Sequence, residues 1–376
     1  MKKILAILLT LMLVFSLFAC VTPEPADPNA ITQERIQKIV NSEFTTPKNV
    51  IIIIGDGMGP NDIALTEMYG EGLYDFGLVL NQIKNHGLAT THSASDEVTD
   101  SAASGTALST GVKTNNGYIG KDTDGNDLQT MAETAREAGK KVGIITDEEV
   151  TGATPSAFTV HNISRKNSNE LLYAMIKFKP DVLMSMKCST DTIPDPQCRD
   201  ILDNEMLLAK DFQSFKDVLS TDPNGNRPFW GFLDGYAAKP SDNLAQCAQI
   251  AMERLQNENG FFLMIESAGT DKFGHLGSMR GKISSVVTLD RTVAAVLQFM
   301  EKNPDTLLII TSDHENGGVQ MPVTGEENLN DLLTTTEHTA TPVRVFGVGK
   351  GTEYFTGKTV DNTDIGKFLI NALQGK

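Results

Sequence analysis

Positive charge is scarce in this 376-residue chain: 32 lysines and arginines face 48 aspartates and glutamates, for a formal net charge of −16. No basic stripe stands out, which argues against a nucleic-acid-binding protein. An anionic small substrate is not excluded, because the charge of a site can oppose that of the whole. With few basic side chains to gather, bound metal cations are the natural counter-charge for such a substrate. After residue 20 no stretch reads as long and apolar enough to span a bilayer as a helix. There is no repeat at a fixed period and no low-complexity tract. Hydrophobic residues at 40% and charged residues at 21% are ordinary globular values. Histidine is also rare, with six in the whole chain, so each position is informative.

The N-terminus reads as a targeting segment. Lys2 and Lys3 precede an apolar run, Ile4 to Phe18, broken only by Thr10 and Ser16, and Leu17-Phe18-Ala19-Cys20 follows. These are the three parts of a bacterial secretory signal, and residues 1–20 are set aside from the fold. The ending on Cys20 matches a lipoprotein signal, in which that cysteine carries lipid and anchors the protein to a membrane. An ordinary cleaved signal and a retained anchor are the alternatives. Residues 21–46, rich in Pro, Asp, Thr and Asn, read as a flexible tether with one short helix around Gln33 to Ser42. Residues 47–376 read as a single domain, exported to the periplasm or cell surface. Export permits disulfides. Cys188 and Cys198 flank a Pro-containing loop short enough for them to pair, which sequence alone does not decide. Cys247 sits in a helical pattern as a buried free thiol.

The domain opens at Asn49. Val50 to Ile54 is a fully apolar, β-branched run, the pattern of a strand buried on both faces. It ends in Gly55-Asp56-Gly57-Met58-Gly59-Pro60, and a helical pattern follows from Asn61 to Tyr69. The same order of strand and polar turn recurs. Lys141 to Ile145 runs into Thr146-Asp147, Phe261 to Ile265 into Glu266, Leu307 to Thr311 into Ser312-Asp313-His314, and Val343 to Val348 into Gly349. Helical stretches lie between, at Asp127 to Ala138, Ser168 to Phe178, Leu244 to Asn257 and Ser284 to Met300. This alternation predicts a three-layer α/β/α sandwich around a central, largely parallel sheet. Lys187 to Asn226, the least regular part, reads as surface loops and short helices.

In open α/β sheets, ligands bind outside the carboxyl ends of the strands. Asp56, Glu266, Asp313 and His314 each follow an apolar strand and so converge on that edge. Singly, each has a plain explanation: Asp56 between glycines is a turn residue, and Glu266 is a solvated strand end. Asp271 and His275 face the same side of one helical turn and can share a metal, although one such pair is more often a solvated helix face. His338, among threonines, would alone be an exposed loop histidine. The set carries more weight, since His275, His314 and His338 are half of the six histidines and all lie near Asp or Glu in the C-terminal third. Mixed His and Asp donors suit zinc, at about 2.0–2.2 Å; carboxylate and hydroxyl donors suit magnesium. Asp100-Ser101 precedes the small-residue run Ala102 to Ala107, which puts Ser101 at a helix N-terminus, where backbone N–H groups favour a phosphoryl group. A plain N-cap is the alternative. As a nucleophile Ser101 needs activation, which a metal that lowers its hydroxyl pKa would supply.

Taken together these residues resemble the alkaline phosphatase family. The resemblance begins at Asn49 to Gly59 and continues through Thr99-Asp100-Ser101-Ala102-Ala103. Ala153-Thr154-Pro155-Ser156-Ala157-Phe158 follows, with His161 and Arg165. It ends with Glu266-Ser267-Ala268, Asp271 to His275, Ser312-Asp313-His314 and Glu337-His338-Thr339. It implies Ser101 as the nucleophile that takes the phosphoryl group. Asp56, Asp313 and His314 would hold one zinc, Asp271, His275 and His338 a second, and Asp56, Thr154 and Glu266 a magnesium. Arg165 would grip phosphate oxygens and Lys272 would add a further phosphate contact. Gly152 stands where many relatives carry an acid or a histidine, which leaves the magnesium shell one group short and water to complete it. The short chain implies reduced surface insertions and leaves monomer and homodimer both open. The substrates implied are small phosphate monoesters. The rivals are a phosphodiesterase or sulfatase of the same superfamily, and a non-catalytic surface lipoprotein that binds metal or phosphate.

Overall fold

The structure, a computed structural model, describes residues 30–186, 193–323 and 328–376. The expected signal at 1–20, with Cys20, and the Cys188 side of the Cys188–Cys198 pair lie outside the described residues. Cys198 and Cys247 are both buried free cysteines.

Twelve strands are described: β1 Asn49–Gly55, β2 Asn85–Thr90, β3 Lys141–Thr146, β4 Val182–Met186, β5 Leu207–Ala209, β6 Phe229–Leu233, β7 Phe261–Ser267, β8 Thr306–Thr311, β9 Glu315–Asn316, β10 His338–Thr339, β11 Val343–Val348 and β12 Thr359–Asp361. Ten form one sheet in the order β12-β2-β11-β8-β1-β7-β3-β4-β6-β5. Only β11 runs against its neighbours β2 and β8; the other pairings are parallel. All seven residues of β1 are buried, because helices cover both faces of the sheet. This is the physical reason that its sequence shows an unbroken apolar run and not an alternating one. The expected α/β sandwich with a largely parallel sheet is the observed one.

Register sets the height of the functional edge. Ile54 lies beside Glu266 of β7 and Thr311 of β8, and Thr146 of β3 also lies beside Glu266. The four adjacent strands β8, β1, β7 and β3 therefore stop at one level, and the residues that follow them share one edge of the sheet.

Three expectations are corrected. Met279–Lys302 is long and apolar enough, by length and composition, to cross a membrane, although the sequence showed no such stretch after residue 20. It is a core helix: Val286, Leu289, Val293, Val296 and Leu297 are fully or almost fully buried, and it packs on the helices Asn243–Leu255 and Pro60–Tyr69. The helix near residue 33 forms, as Gln33–Val40, but it is not part of a free tether. Ile36 is fully buried, Arg35 pairs with Glu301 at 2.8 Å, and residues from Gln33 onward belong to one compact unit. The irregular stretch 187–226 supplies, besides short helices, the edge strand β5.

Candidate active site

Ser101 opens the helix Ser101–Thr110, with Asp100 as its N-cap: the Asp100 carboxylate accepts from Ala103 N at 2.9 Å. The small side chains of this helix let it pack against the helices Ala153–Ala157 and Asn362–Leu373. Ser101 is buried, and its Oγ lies 3.2 Å from His314 Nε2. The N-terminus of the helix thus meets the carboxyl edge of the sheet at the proposed nucleophile.

Two clusters of three ligand groups flank this point. In the first, His314 Nε2 lies 3.5 Å from Asp56 Oδ1 and 3.2 Å from Asp313 Oδ2. In the second, Asp271 Oδ1 lies 3.3 Å from both His275 Nε2 and His338 Nε2, and the two nitrogens are 3.2 Å apart. Donors placed about 2.0–2.1 Å from a tetrahedral ion stand about 3.3 Å from one another, so both clusters have the spacing of a zinc shell. The His314 and His338 rings stack with centroids 3.5 Å apart, which makes the clusters adjacent. Their supports fix which atoms face inward. His275 Nδ1 donates to Thr336 O at 2.6 Å and His338 Nδ1 to Thr99 O at 3.0 Å, turning both Nε2 atoms toward Asp271. Asp313 Oδ1 accepts from Gly57 N and His314 N, leaving Oδ2 for the cluster. Gly57 has φ +70°, and a Cβ there would stand 2.8 Å from Asp271 Cα, so only glycine lets the β1 turn approach the second cluster.

A third cluster contains carboxylate oxygens of Asp56, Glu148 and Glu266, mutually within 4.8 Å. Thr154 is fully buried, and its hydroxyl lacks a hydrogen-bond partner, as do Glu266 Oε1, Asp56 Oδ1 and Asp313 Oδ2. Buried polar atoms without partners are costly and rare in folded proteins. Their concentration here fits a set of donors built for cations. The electrostatics agree. Burial, then Asp313 and Asp271, pushes the Asp56 carboxyl well up, and burial followed by Glu148 does the same to Glu266. Burial pushes His314 down, toward the neutral form that donates a lone pair. Burial opposes the Asp271 charge, yet its hydrogen bonds with His275 and His338 hold that carboxyl well below its ordinary range. These are crowded negative charges short of positive ones.

Arg165 and Lys272 both stand at the site, each with a partner that sequence reading did not foresee. Arg165 Nη1 pairs with Asp100 Oδ2 at 3.1 Å, and its backbone N–H donates to Gly117 O at 2.8 Å. Asp100 thereby ties the guanidinium to the helix that carries Ser101. Lys272 Nζ pairs with Glu148 Oε2 at 2.8 Å, so the expected phosphate contact is bound to a carboxylate. Of the eleven residues expected at the site, Asp56, Glu266, Asp313 and His314 stand at this sheet edge, Ser101, Thr154, Asp271, Lys272 and His275 on helices, Arg165 in a turn and His338 on the short strand β10. Sequence reading missed Glu148, which stands two residues past the end of strand β3, where Asp56 directly follows β1. It also missed Asn316, whose Nδ2 donates to Asp271 Oδ1 at 2.7 Å from a segment with no pattern of its own.

Known proteins resemble this chain in sequence and in fold. The family model described as Alkaline phosphatase matches residues 47–187 and 233–331. Alkaline phosphatase 4 of Bacillus subtilis is 34% identical over 300 residues, covering 75% of this chain; the chain spans 64% of that relative's length. The solved alkaline phosphatase of the Antarctic bacterium TAB5 superposes with a TM-score of 0.75 at 28% identity, covering 88% of this chain and 99% of that one. A variant of that enzyme with one histidine replaced by glutamate has Mg bound in its M3 site. It superposes with a TM-score of 0.74 at 27% identity, covering 88% and 99% of the two chains.

Proposed function

The chain belongs to the alkaline phosphatase family, and we propose that it hydrolyses phosphate monoesters through a phosphoserine intermediate on Ser101. The observation that carries this reading is the position of Ser101 Oγ, 3.2 Å from His314 Nε2, where two clusters with zinc-like spacing adjoin. Asp56, Asp313 and His314 would hold one zinc; Asp271, His275 and His338 the other; Asp56, Thr154 and Glu266 a magnesium, supported by the Mg described for the TAB5 variant. When bound, these cations supply the charge that lowers the pKa of an attacking hydroxyl and stabilises a leaving alkoxide.

The chain's own residues do the rest. Ser101 Oγ attacks phosphorus, the ester oxygen leaves and takes up a proton, and water then cleaves the phosphoserine to release phosphate and restore the hydroxyl. The helix N-terminus at Ser101 and the planar fork of Arg165 face the equatorial phosphate oxygens. Asp100 fixes both, as the cap of the helix and the partner of Arg165. His314 is not a general base of the triad type, because its buried Nδ1 has no hydrogen-bond partner to orient it. An arginine that grips two free oxygens favours monoesters over diesters, which separates the reading from the phosphodiesterase alternative; a sulfate ester offers the same free oxygens, and comparing rates on the two esters separates that one. Export with lipid on Cys20 belongs to the same proposal, as do small phosphate monoesters as the substrates.

Ser101→Ala should lower turnover of a nitrophenyl phosphate monoester by several orders of magnitude, with zinc content and thermal midpoint retained. Near-normal turnover in that variant, or a wild-type preference for a diester or sulfate ester, would remove this reading.

A further inference from the structure

The sequence leaves the third cluster one group short at Gly152, and the structure shows what takes up the space. A Cβ built on Gly152 would stand 2.1 Å from Glu148 Oε1 and 2.8 Å from Glu148 Cδ. The carboxylate of Glu148 therefore occupies the volume that any side chain at position 152 would fill. Glu148 comes from the loop that follows strand β3, and its backbone is fixed at both ends: its N–H donates to Thr146 Oγ1 at 3.1 Å and its carbonyl accepts from Met186 N at 2.8 Å. Its two carboxylate oxygens have separate surroundings. Oε2 is taken by Lys272 Nζ at 2.8 Å, while Oε1 lies on the Gly152 side. The cluster it joins contains two almost fully or fully buried carboxylates with unpartnered oxygens, Asp56 Oδ1 and Glu266 Oε1, and the fully buried Thr154 hydroxyl stands beside Glu266.

We propose that Glu148 is a ligand of the third cation site, delivering from four residues upstream the carboxylate that Gly152 lacks, with Lys272 holding its second oxygen. This rests on the reading of Asp56, Thr154 and Glu266 as a magnesium site and names a further member of it. Magnesium takes oxygen donors in octahedral geometry and keeps several waters, so four protein oxygens completed by water suit it. Glycine at 152 is then a requirement of the site, because even a methyl group there would displace the Glu148 carboxylate. Lys272 becomes a positioning residue for Glu148.

The test is magnesium binding to the zinc-loaded protein, measured by titration calorimetry and by elemental analysis after equilibrium dialysis. Glu148→Gln keeps the shape and removes the charge; Gly152→Ala keeps Glu148 and removes its space. Both should weaken magnesium roughly 10–100-fold or more, the loss already seen when only a partner that orients a ligand is disturbed. Zinc content should not change. Wild-type magnesium affinity in Glu148→Gln overturns the assignment, and normal affinity in Gly152→Ala overturns the spatial argument. Zinc lost in step with magnesium makes Glu148 a scaffold residue and overturns it too. Should the wild-type protein itself take up no magnesium beside its zinc, the underlying site reading falls and Glu148 falls with it.

Discussion

Lys282 is a fully buried lysine in the first turn of the core helix, and its ammonium meets the strand-end turns. Nζ donates to Asn316 O at 2.6 Å and Gly57 O at 3.3 Å, and pairs with Asp62 Oδ2 at 3.3 Å. It thus pins together the turn after Asp56 and the segment whose Asn316 supports Asp271. Asp62 is buried as well, and burial pushes its carboxyl up to about 6 despite the opposing pull of Lys282 and Gly59 N–H. Removing one member of such a pair leaves the other charge uncompensated. Lys282→Met should destabilise the protein by about 3–5 kcal/mol, and adding Asp62→Asn should recover part of that loss. Urea unfolding of the single and double variants measures both; additive losses would mean the two residues do not act as a pair. In the sequence, Lys282 is an ordinary lysine at a helix start. Residues that bear chemistry by type and place, such as Asp56 or His314, were legible because a strand pointed at them. Residues that act by reaching across the fold, such as Lys282, Asn316 and Glu148, carry no local signal that separates them from solvated neighbours.

Elements were legible in proportion to how completely packing dictates their composition. β1, β3, β7, β8 and β11 lie in the middle of the sheet and read as apolar runs. β2, Asn-His-Gly-Leu-Ala-Thr, is near one edge and half exposed, and the three-residue strands β5 and β12 are too short to show a period. One element junction carries a testable pH dependence. His161 Nδ1 contacts Gly120 O at 2.7 Å and Nε2 contacts Glu133 Oε1 at 3.0 Å. Both partners only accept, so both ring nitrogens donate and the imidazole is charged. The contact clips the Gly120 turn to the capping box of the helix Met131–Glu137, where Glu133 also accepts from Thr130 N. Burial opposes the His161 charge, but Glu133 and the Gly120 carbonyl outweigh it and raise the pKa above 6.5. The folded state therefore holds this proton more tightly than the unfolded chain does. Its stabilisation is fully present below pH 6.5 and is lost as pH rises through the raised folded value. Burial likewise opposes the Glu133 charge, and its hydrogen bond with His161 wins, which carries the pair's stability below the ordinary carboxylate range. His161→Gln should flatten the decline of the unfolding free energy above pH 6.5; an unchanged slope would place the titrating group elsewhere.

At the scale of the whole molecule, the three clusters put Asp56, Asp271, Glu266 and Asp313 at one sheet edge, all nearly or fully buried, in a chain with net charge −16. Little positive charge is at hand, and what there is, at Arg165 and Lys272, is already paired. Such an edge should be under strain in the metal-stripped protein and relaxed in the loaded one. The unfolded chain scatters the same ligands, since Asp56 and His338 come from opposite ends of the domain, and cannot gather them around an ion. A cation that binds only the folded state stabilises it by about 2.7 kcal/mol when its free concentration is a hundredfold above Kd. Treatment with EDTA should therefore lower the thermal midpoint and abolish monoester turnover together, and zinc followed by magnesium should restore both. Protons compete with metals for these carboxylates and imidazoles, so the gap between stripped and loaded midpoints should widen from pH 5 toward pH 8. A gap that is absent, or that narrows over that range, would mean that protons neutralise this edge in the working protein, and the two-zinc reading of Asp56, Asp271, His275, Asp313, His314 and His338 could not stand.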